Sequence, residues 1–227
     1  MRRLGIGWSL VGVLLAGSTA GVAADENRPR HLIYLHGRIV QEQQSARPRH
    51  PEFGFYELEQ ILDAFRERGF VVSGEIRPRS ASVSESADRV VEQVRRLLES
   101  GVSADRITVV GASMGAAIAL VASARLQNPN LRFSLLGVCL SEGVRGLLAE
   151  EGKQPSGHLL VIREASDDLV GPCPPWRDDP ESPTRLVVRE IVLETGLGHG
   201  FLYRSLPEWV DPVVAWAEAA EERRAEP

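Results

Sequence analysis

Hydrophobic residues recur along the chain with two alternating spacings, one typical of β-strands and the other of helices. Short runs rich in valine, leucine and isoleucine predict strands at residues 31–35, 70–76, 106–110, 132–140, 158–163 and 186–193. Apolar residues three and four positions apart predict helices at residues 57–68, 82–100, 114–126 and 208–220. Because strands and helices alternate, we expect a single-domain α/β fold with a mainly parallel sheet and helices on both faces.

The first 24 residues have the three parts of a secretory signal peptide. Arg2 and Arg3 form a positive head, an apolar stretch follows, and small residues lead to Ala24. The apolar stretch is shorter than the roughly 20 residues that a membrane-spanning helix needs. We therefore expect residues 1–24 to be removed, a mature domain of residues 25–227, and a secreted or periplasmic protein. An uncleaved N-terminal anchor is the alternative.

Composition and charge exclude several classes of protein. With 43% hydrophobic and 25% charged residues, the chain has the balance of a globular protein, not of a disordered or fibrous one. A formal net charge of −5 makes nucleic acid an unsuitable partner, because nucleic-acid binding needs a basic surface. The sequence holds no zinc, Walker or dinucleotide motif, so we expect neither a metal nor another cofactor.

The chain has two cysteines, Cys139 and Cys173. A disulfide between them is possible in the oxidising compartment that an exported protein reaches. Sequence does not establish that their Cα atoms lie close enough for a bond. A free Cys139 buried in a strand is therefore the alternative.

The motif that carries chemistry is Gly111-Ala112-Ser113-Met114-Gly115. It lies between the predicted strand at 106–110 and the alanine-rich helix at 114–126. A serine on so sharp a strand-to-helix turn has an exposed hydroxyl, and the flanking glycines let strand and helix approach closely. Ser113 is thus the candidate nucleophile, and an idle serine in a glycine-rich turn is the alternative.

With this motif and three others, the chain resembles the α/β-hydrolase superfamily along nearly its whole mature length. The other three follow the first strand, the strand at 158–163 and the last strand; they are Leu35-His36-Gly37-Arg38, Ser166-Asp167-Asp168-Leu169-Val170 and Gly196-Leu197-Gly198-His199-Gly200-Phe201. The order serine, acid, histidine is that of the family. The compact dienelactone-hydrolase and carboxylesterase type is the most similar, because residues 141–157 are too few for a large cap.

The resemblance implies a catalytic triad and an oxyanion hole. His199 is the implied base, since a serine hydroxyl becomes a good nucleophile only when a base takes its proton. Asp167 is the implied acid on the family's spacing, with its neighbour Asp168 as the alternative. The implied oxyanion donors are the backbone N–H groups of Met114 and Arg38.

Several arginines lie close to the expected site in the sequence. Arg77 and Arg79 follow the predicted strand at 70–76, at the end where open α/β sheets bind ligands. Together with Arg38, they are candidates for holding a substrate carboxylate or phosphate through the guanidinium group. Ordinary surface arginine is the alternative in a chain so rich in this residue.

These observations lead to the hypothesis of a secreted serine hydrolase acting on a small or short-acyl ester or thioester through an acyl-enzyme. A small substrate is expected because a site without a cap is open. Two alternatives share the fold: a non-catalytic binding protein, and a peptidase or lactonase with the same triad. The expected partner is a small-molecule ester, with no stable membrane insertion once the signal is removed.

Overall fold

The computed structural model describes residues 28–170 and 186–219 of the chain. The strands in these ranges are β1 (Arg30–Leu35), β2 (Arg49–His50), β3 (Gly54–Phe55), β4 (Phe70–Ser73), β5 (Ile107–Ala112), β6 (Arg132–Leu136), β7 (Gly157–Glu164) and β8 (Leu186–Leu193). The α-helices are α1 (Arg38–Gln43), α2 (Leu58–Arg66), α3 (Val83–Glu99), α4 (Met114–Leu126), α5 (Glu142–Glu151) and α6 (Pro207–Glu218). Short 3-10 helices span Ala104–Arg106 and Gly198–Tyr203.

Six strands form one parallel sheet in the order β4-β1-β5-β6-β7-β8. The central strand β5 is buried along its whole length, as expected for a parallel strand covered on both faces. The predicted fold class, a single α/β domain with a mainly parallel sheet, is confirmed. Because parallel strands end on the same side, the segments that follow β1, β5, β7 and β8 meet at one end of the sheet.

Two apolar layers pack on the two faces of the sheet. Helices α2 and α6 bury their apolar faces on one side, where Phe65 and Trp209 are fully buried. Helices α3 and α4 pack on the other side. Helix α4 is buried almost all round, because its alanines let it lie close against the strands. This tight packing fixes the position of the helix end that follows Ser113.

The long connection at residues 37–56 has secondary structure of its own, which the sequence pattern did not indicate. It holds helix α1 and the two-residue strands β2 and β3, which pair as an antiparallel hairpin. Such short strands carry no measurable alternation of polar and apolar residues. The predicted strands at 70–76 and 132–140 are also shorter in the structure, ending at Ser73 and Leu136.

Some sequence predictions fall outside the described residues. These are the signal peptide at residues 1–24 and Cys173. Cys139 is buried and disulfide-bonded. Within residues 28–170 and 186–219, no helix is both long and apolar enough to span a bilayer.

Candidate active site

Ser113 lies on a strained turn between β5 and α4. Its backbone has φ 53° and ψ −116°, a conformation that residues with a side chain rarely adopt. The glycines on either side have no room for a side chain. A Cβ on Gly111 would lie 2.2 Å from the carbonyl oxygen of Gly115, and a Cβ on Gly115 would lie 1.9 Å from that of Leu35. The turn is therefore held by close backbone contacts to α4 and β1.

The structure brings the predicted nucleophile, base and acid into one hydrogen-bonded chain. Ser113 Oγ lies 2.9 Å from His199 Nε2, and His199 Nδ1 lies 2.7 Å from Asp167 Oδ2. An ionised carboxylate only accepts hydrogen bonds, so His199 Nδ1–H donates to Asp167. Nε2 is then free to accept the hydroxyl proton of Ser113. The three residues follow β5, β7 and β8, whose carboxyl ends lie on the same side of the sheet.

Burial distinguishes the two candidate acids. Asp167 is 5% exposed, whereas Asp168 is exposed to solvent. The second oxygen of Asp167, Oδ1, accepts hydrogen bonds from the backbone N–H groups of Leu169 at 3.1 Å and Val170 at 3.3 Å. Both oxygens of the carboxylate are thus held in place, and the structure brings Asp167, not Asp168, to His199.

The two predicted oxyanion donors both lie at helix N-termini beside the nucleophile. Met114 is the first residue of α4 and Arg38 is the first residue of α1, and first-turn N–H groups have no acceptor within their own helix. Gly37, which precedes Arg38, is so close that a Cβ on it would lie 3.8 Å from Ser113 Cβ. The geometry therefore allows both N–H groups to serve an oxygen bound next to Ser113.

His36 holds the turn that precedes Arg38. Its ring is fully buried, Nδ1–H donates to the Gly37 carbonyl at 2.8 Å, and Nε2 accepts from the backbone N–H of Arg77 at 3.1 Å. Burial and the nearby Arg77 guanidinium lower the pKa of His36 to about 4. The imidazole is consequently neutral at physiological pH and is a structural part of the turn.

The structure corrects the prediction that Arg77 binds substrate. Arg77 is 7% exposed, and its guanidinium donates to the His36 carbonyl at 2.6 Å and to Gln41 Oε1 at 3.1 Å. Burial lowers the pKa of Arg77 to about 10, so the side chain stays charged at neutral pH. It stabilises the His36–Gly37 turn through its bond to the His36 carbonyl. Arg38 and Arg79 are exposed, and their role toward a substrate stays a prediction.

Sequence reasoning missed several aromatic residues near the hydrogen-bonded chain, including Phe53 and Tyr56 from the long connection. Phe53, between β2 and β3, lies with its ring centroid 6.3 Å from that of His199 and 5.4 Å from that of Tyr203. The buried hydroxyls of Tyr34 and Tyr56 are 2.6 Å apart. The signal available in the sequence was the length of this connection, which predicts function but not which side chain reaches the site.

A cleft of about 550 Å³ lies beside the loop that carries His199. Its lining residues are Glu52, Phe53, Ser166, Gly196, Leu197, Gly198, Gly200, Arg204 and Leu206. Ser113 is not among them, so the cleft lies beside the hydrogen-bonded chain and does not include the candidate nucleophile. Among the described residues, no cluster of His, Cys, Asp and Glu has the arrangement of a metal site.

No family model and no curated protein matches the chain. Solved structures of the α/β-hydrolase type are similar to it in fold. A sugar hydrolase from Lactococcus lactis is 14% identical, covering 85% of this chain and 90% of that one, with a TM-score of 0.49. Est1E from Butyrivibrio proteoclasticus, solved with ferulic acid, is 12% identical over 83% and 88%, with a TM-score of 0.48. A hyperthermophilic esterase from the archaeon Pyrobaculum calidifontis is 18% identical over 84% and 75%, with a TM-score of 0.47.

Proposed function

We propose that the protein is a serine hydrolase that cleaves small or short-acyl esters or thioesters through an acyl-enzyme. The observation that carries this proposal is the chain of hydrogen bonds from Ser113 to His199 to Asp167, with distances of 2.9 and 2.7 Å. Nucleophile, base and orienting acid at these distances are the arrangement that makes a serine hydroxyl reactive. The strained backbone of Ser113 adds support, because such strain is typical of functional residues.

The first chemical step forms an ester between the enzyme and the acyl group. Ser113 Oγ attacks the carbonyl carbon of the substrate while its proton passes to His199 Nε2. Asp167 stabilises the resulting imidazolium through the bond to Nδ1–H. The negative charge that develops on the carbonyl oxygen is stabilised by the backbone N–H groups of Met114 and Arg38. The tetrahedral intermediate then collapses, and the leaving alcohol or thiol takes the proton from His199.

The second step returns the enzyme to its starting state. Water attacks the carbonyl carbon of the acyl-Ser113 ester and gives a proton to His199 Nε2. The bond from the acyl carbon to Ser113 Oγ then breaks, the carboxylic acid is released, and Ser113 Oγ takes the proton back from His199. The same geometry serves both steps because His199 alternates between base and acid. The chemistry needs no group beyond the side chains and N–H groups already named.

We also propose that the mature protein is exported, beginning at Asp25. The signal-like composition of residues 1–24 supports this proposal. N-terminal sequencing of the protein recovered from periplasm or medium tests it, and a retained residue 1 in the membrane fraction contradicts cleavage.

The nucleophile is tested by Ser113→Ala, with Ser100→Ala on an exposed helix end as the matched control. We expect Ser113→Ala to lose on the order of 10⁶ in turnover of a p-nitrophenyl acetate-type ester, as other triads do. It should also lose covalent labelling by a fluorophosphonate probe, while Ser100→Ala keeps both. Labelling that persists in Ser113→Ala contradicts the assignment. An unlabelled wild-type protein favours a binding protein on the same fold.

The substrate class is tested separately with the wild-type enzyme. A panel of short and long acyl esters, thioesters, lactones and aminopeptidase substrates, compared by kcat/KM, ranks the possible reactions. We expect the highest values for acetyl and propionyl esters or thioesters. A highest value for a lactone or peptide would leave the triad in place but replace the proposed substrate.

A further inference from the structure

Glu164 is a buried carboxylate for which the reaction as described has no use. It is the last residue of β7, it is 3% exposed, and it pairs in register with Leu193, the last residue of β8. The segment that carries Asp167 therefore starts directly after Glu164. The segment that carries His199 starts directly after Leu193, on the neighbouring strand.

One oxygen of Glu164 binds the acid segment. Oε2 accepts from the backbone N–H of Ser166 at 2.6 Å and from the Ser166 hydroxyl at 2.5 Å. Ser166 immediately precedes Asp167, whose own N–H bonds to the Glu164 carbonyl at 3.2 Å. The carboxylate and the backbone of Glu164 together fix the turn that presents Asp167.

The other oxygen binds the histidine segment. Oε1 accepts from the backbone N–H of Gly196 at 2.9 Å and from the Thr195 hydroxyl at 3.4 Å. A further bond joins the two segments, since the Ser166 hydroxyl accepts from the N–H of Gly198 at 3.2 Å. Gly198 immediately precedes His199, so the two segments are linked at the residue before each catalytic side chain.

This arrangement depends on an ionised carboxylate with both oxygens accepting. Burial alone would raise the pKa of Glu164, but the hydrogen bonds from Ser166, Gly196 and Thr195 outweigh it and the pKa is lowered. All of these donors are neutral groups on the two segments. A glutamine has the same shape, but it replaces one acceptor oxygen with an NH₂ group that would face N–H and O–H donors.

We propose that Glu164 is a positioning residue that sets the acid segment against the histidine segment and so fixes the bond between Asp167 and His199. The proposal rests on the proposed serine hydrolase function for its kinetic consequence. The bridge consists of the contacts to Glu164 from Ser166, Thr195 and Gly196, together with the bond from Gly198 to Ser166. Loss of the bridge lets His199 move relative to Ser113, and a displacement near 1 Å can cost roughly 10²-fold in rate.

The first test is Glu164→Gln, with Glu190→Gln as the matched control. Glu190 is a half-buried carboxylate on β8 whose partner is Arg163 at 2.7 Å. We expect Glu164→Gln to lower kcat about 10- to 100-fold on a short ester with KM changed less than about threefold. We expect Glu190→Gln to keep both constants. Rates are measured well below the melting temperature of each variant, with folding checked by circular dichroism.

The second test needs no substrate and so separates this proposal from the proposed function. The proton that His199 Nδ1 shares with Asp167 gives a low-field NMR resonance, assigned by its loss in His199→Gln. We expect the resonance to shift or broaden in Glu164→Gln and to stay unchanged in Glu190→Gln. A wild-type protein without hydrolase activity would overturn the proposed function, while this resonance still decides the role of Glu164.

A folded Glu164→Gln with wild-type kcat and an unchanged resonance overturns the proposal. If Glu164→Gln does not fold, Ser166→Ala takes its place, because it removes one hydroxyl that joins Glu164 to Gly198 without changing charge. Ser166→Ala must then lower kcat and alter the resonance. An unchanged resonance in that variant overturns the proposal equally.

Discussion

Asp167 and Asp168 are adjacent carboxylates that differ in burial and in their contacts. The resemblance to the α/β-hydrolase superfamily implied Asp167 through the spacing of the family's motif. In the structure, Asp167 is buried against His199, while Asp168 is in solvent. Two adjacent residues can differ this much in burial because neighbouring side chains on an extended or turning backbone point in different directions.

Asparagine substitutions separate the two aspartates. We expect Asp167→Asn to lower kcat by on the order of 10⁴, because an amide cannot hold the Nδ1–H tautomer of His199. Asp168→Asn is the isosteric control and should stay within about twofold of the wild type. The measurement is kcat on a short ester at pH 7.5. Equal losses, or a greater loss in Asp168→Asn, would show that the acid is not Asp167.

At the scale of elements, the bounds of helices and strands were predicted best where the local sequence pattern favours a single type of secondary structure. Helix α4 and strand β8 have the predicted bounds. The first is an alanine-rich run, and the second is rich in valine and isoleucine although Arg189 and Glu190 interrupt it. The segments that carry Ser113, Asp167 and His199 were also predicted to follow strands, and each follows a strand of the parallel sheet. The order of elements therefore placed three distant residues on one side of the molecule.

Other features depend on tertiary contacts that no local pattern shows. Arg77 looked like a substrate-binding cation until burial against His36 and Gln41 showed otherwise. Phe53 and Glu164 have partners more than 30 residues away in the chain, on the loop of His199 or beside it. Such pairings depend on strand register and loop path, which spacing along the chain does not determine.

The strained turn between β5 and α4, which carries Ser113, gives a prediction about the packing of these two elements. We expect Gly115→Ala to reduce both activity and stability, because its Cβ would lie 1.9 Å from the Leu35 carbonyl and force α4 away from β1. Overpacking of this kind typically costs about 1–3 kcal/mol. Urea unfolding measures the stability, and the rate of fluorophosphonate labelling of Ser113 measures whether the turn still presents the hydroxyl.

The matched control is Gly146→Ala, in helix α5, where an added Cβ meets nothing within 4 Å. It should keep the labelling rate of the wild type and gain a little stability from the helix preference for alanine. Wild-type stability in Gly115→Ala would show that the junction is looser than the contacts indicate.

At the scale of the whole molecule, buried groups make stability depend on pH. His36 has a pKa of about 4 in the folded state, against about 6.5 for an unperturbed histidine. Between these values the unfolded chain binds more protons than the folded one. The free energy of unfolding therefore falls as pH falls from about 6.5 toward 4, by up to about 1.4 kcal/mol per pH unit from this residue.

Replacing His36 with glutamine should remove that dependence. Urea unfolding at several pH values between 7.5 and 5 gives the slope for each protein. We expect His36→Gln to be less stable than the wild type at pH 7.5, because the Gly37 and Arg77 contacts are altered, but to lose less stability on acidification. Parallel curves for the two proteins would place the pH dependence on other groups.

The position of His199 on the segment after β8 has a consequence for biosynthesis. Along the chain Ser113 comes first, Asp167 next and His199 last, and β8 is an edge strand that, in the described part of the chain, pairs with β7. A polypeptide emerging from the ribosome therefore carries its serine for some 86 residues before the base exists. At roughly 5–20 residues per second, this interval lasts about 4 to 17 seconds. On the proposed function, the chain therefore contains the nucleophile during translation but lacks the base that activates it, and reactivity begins only after β8 joins the sheet.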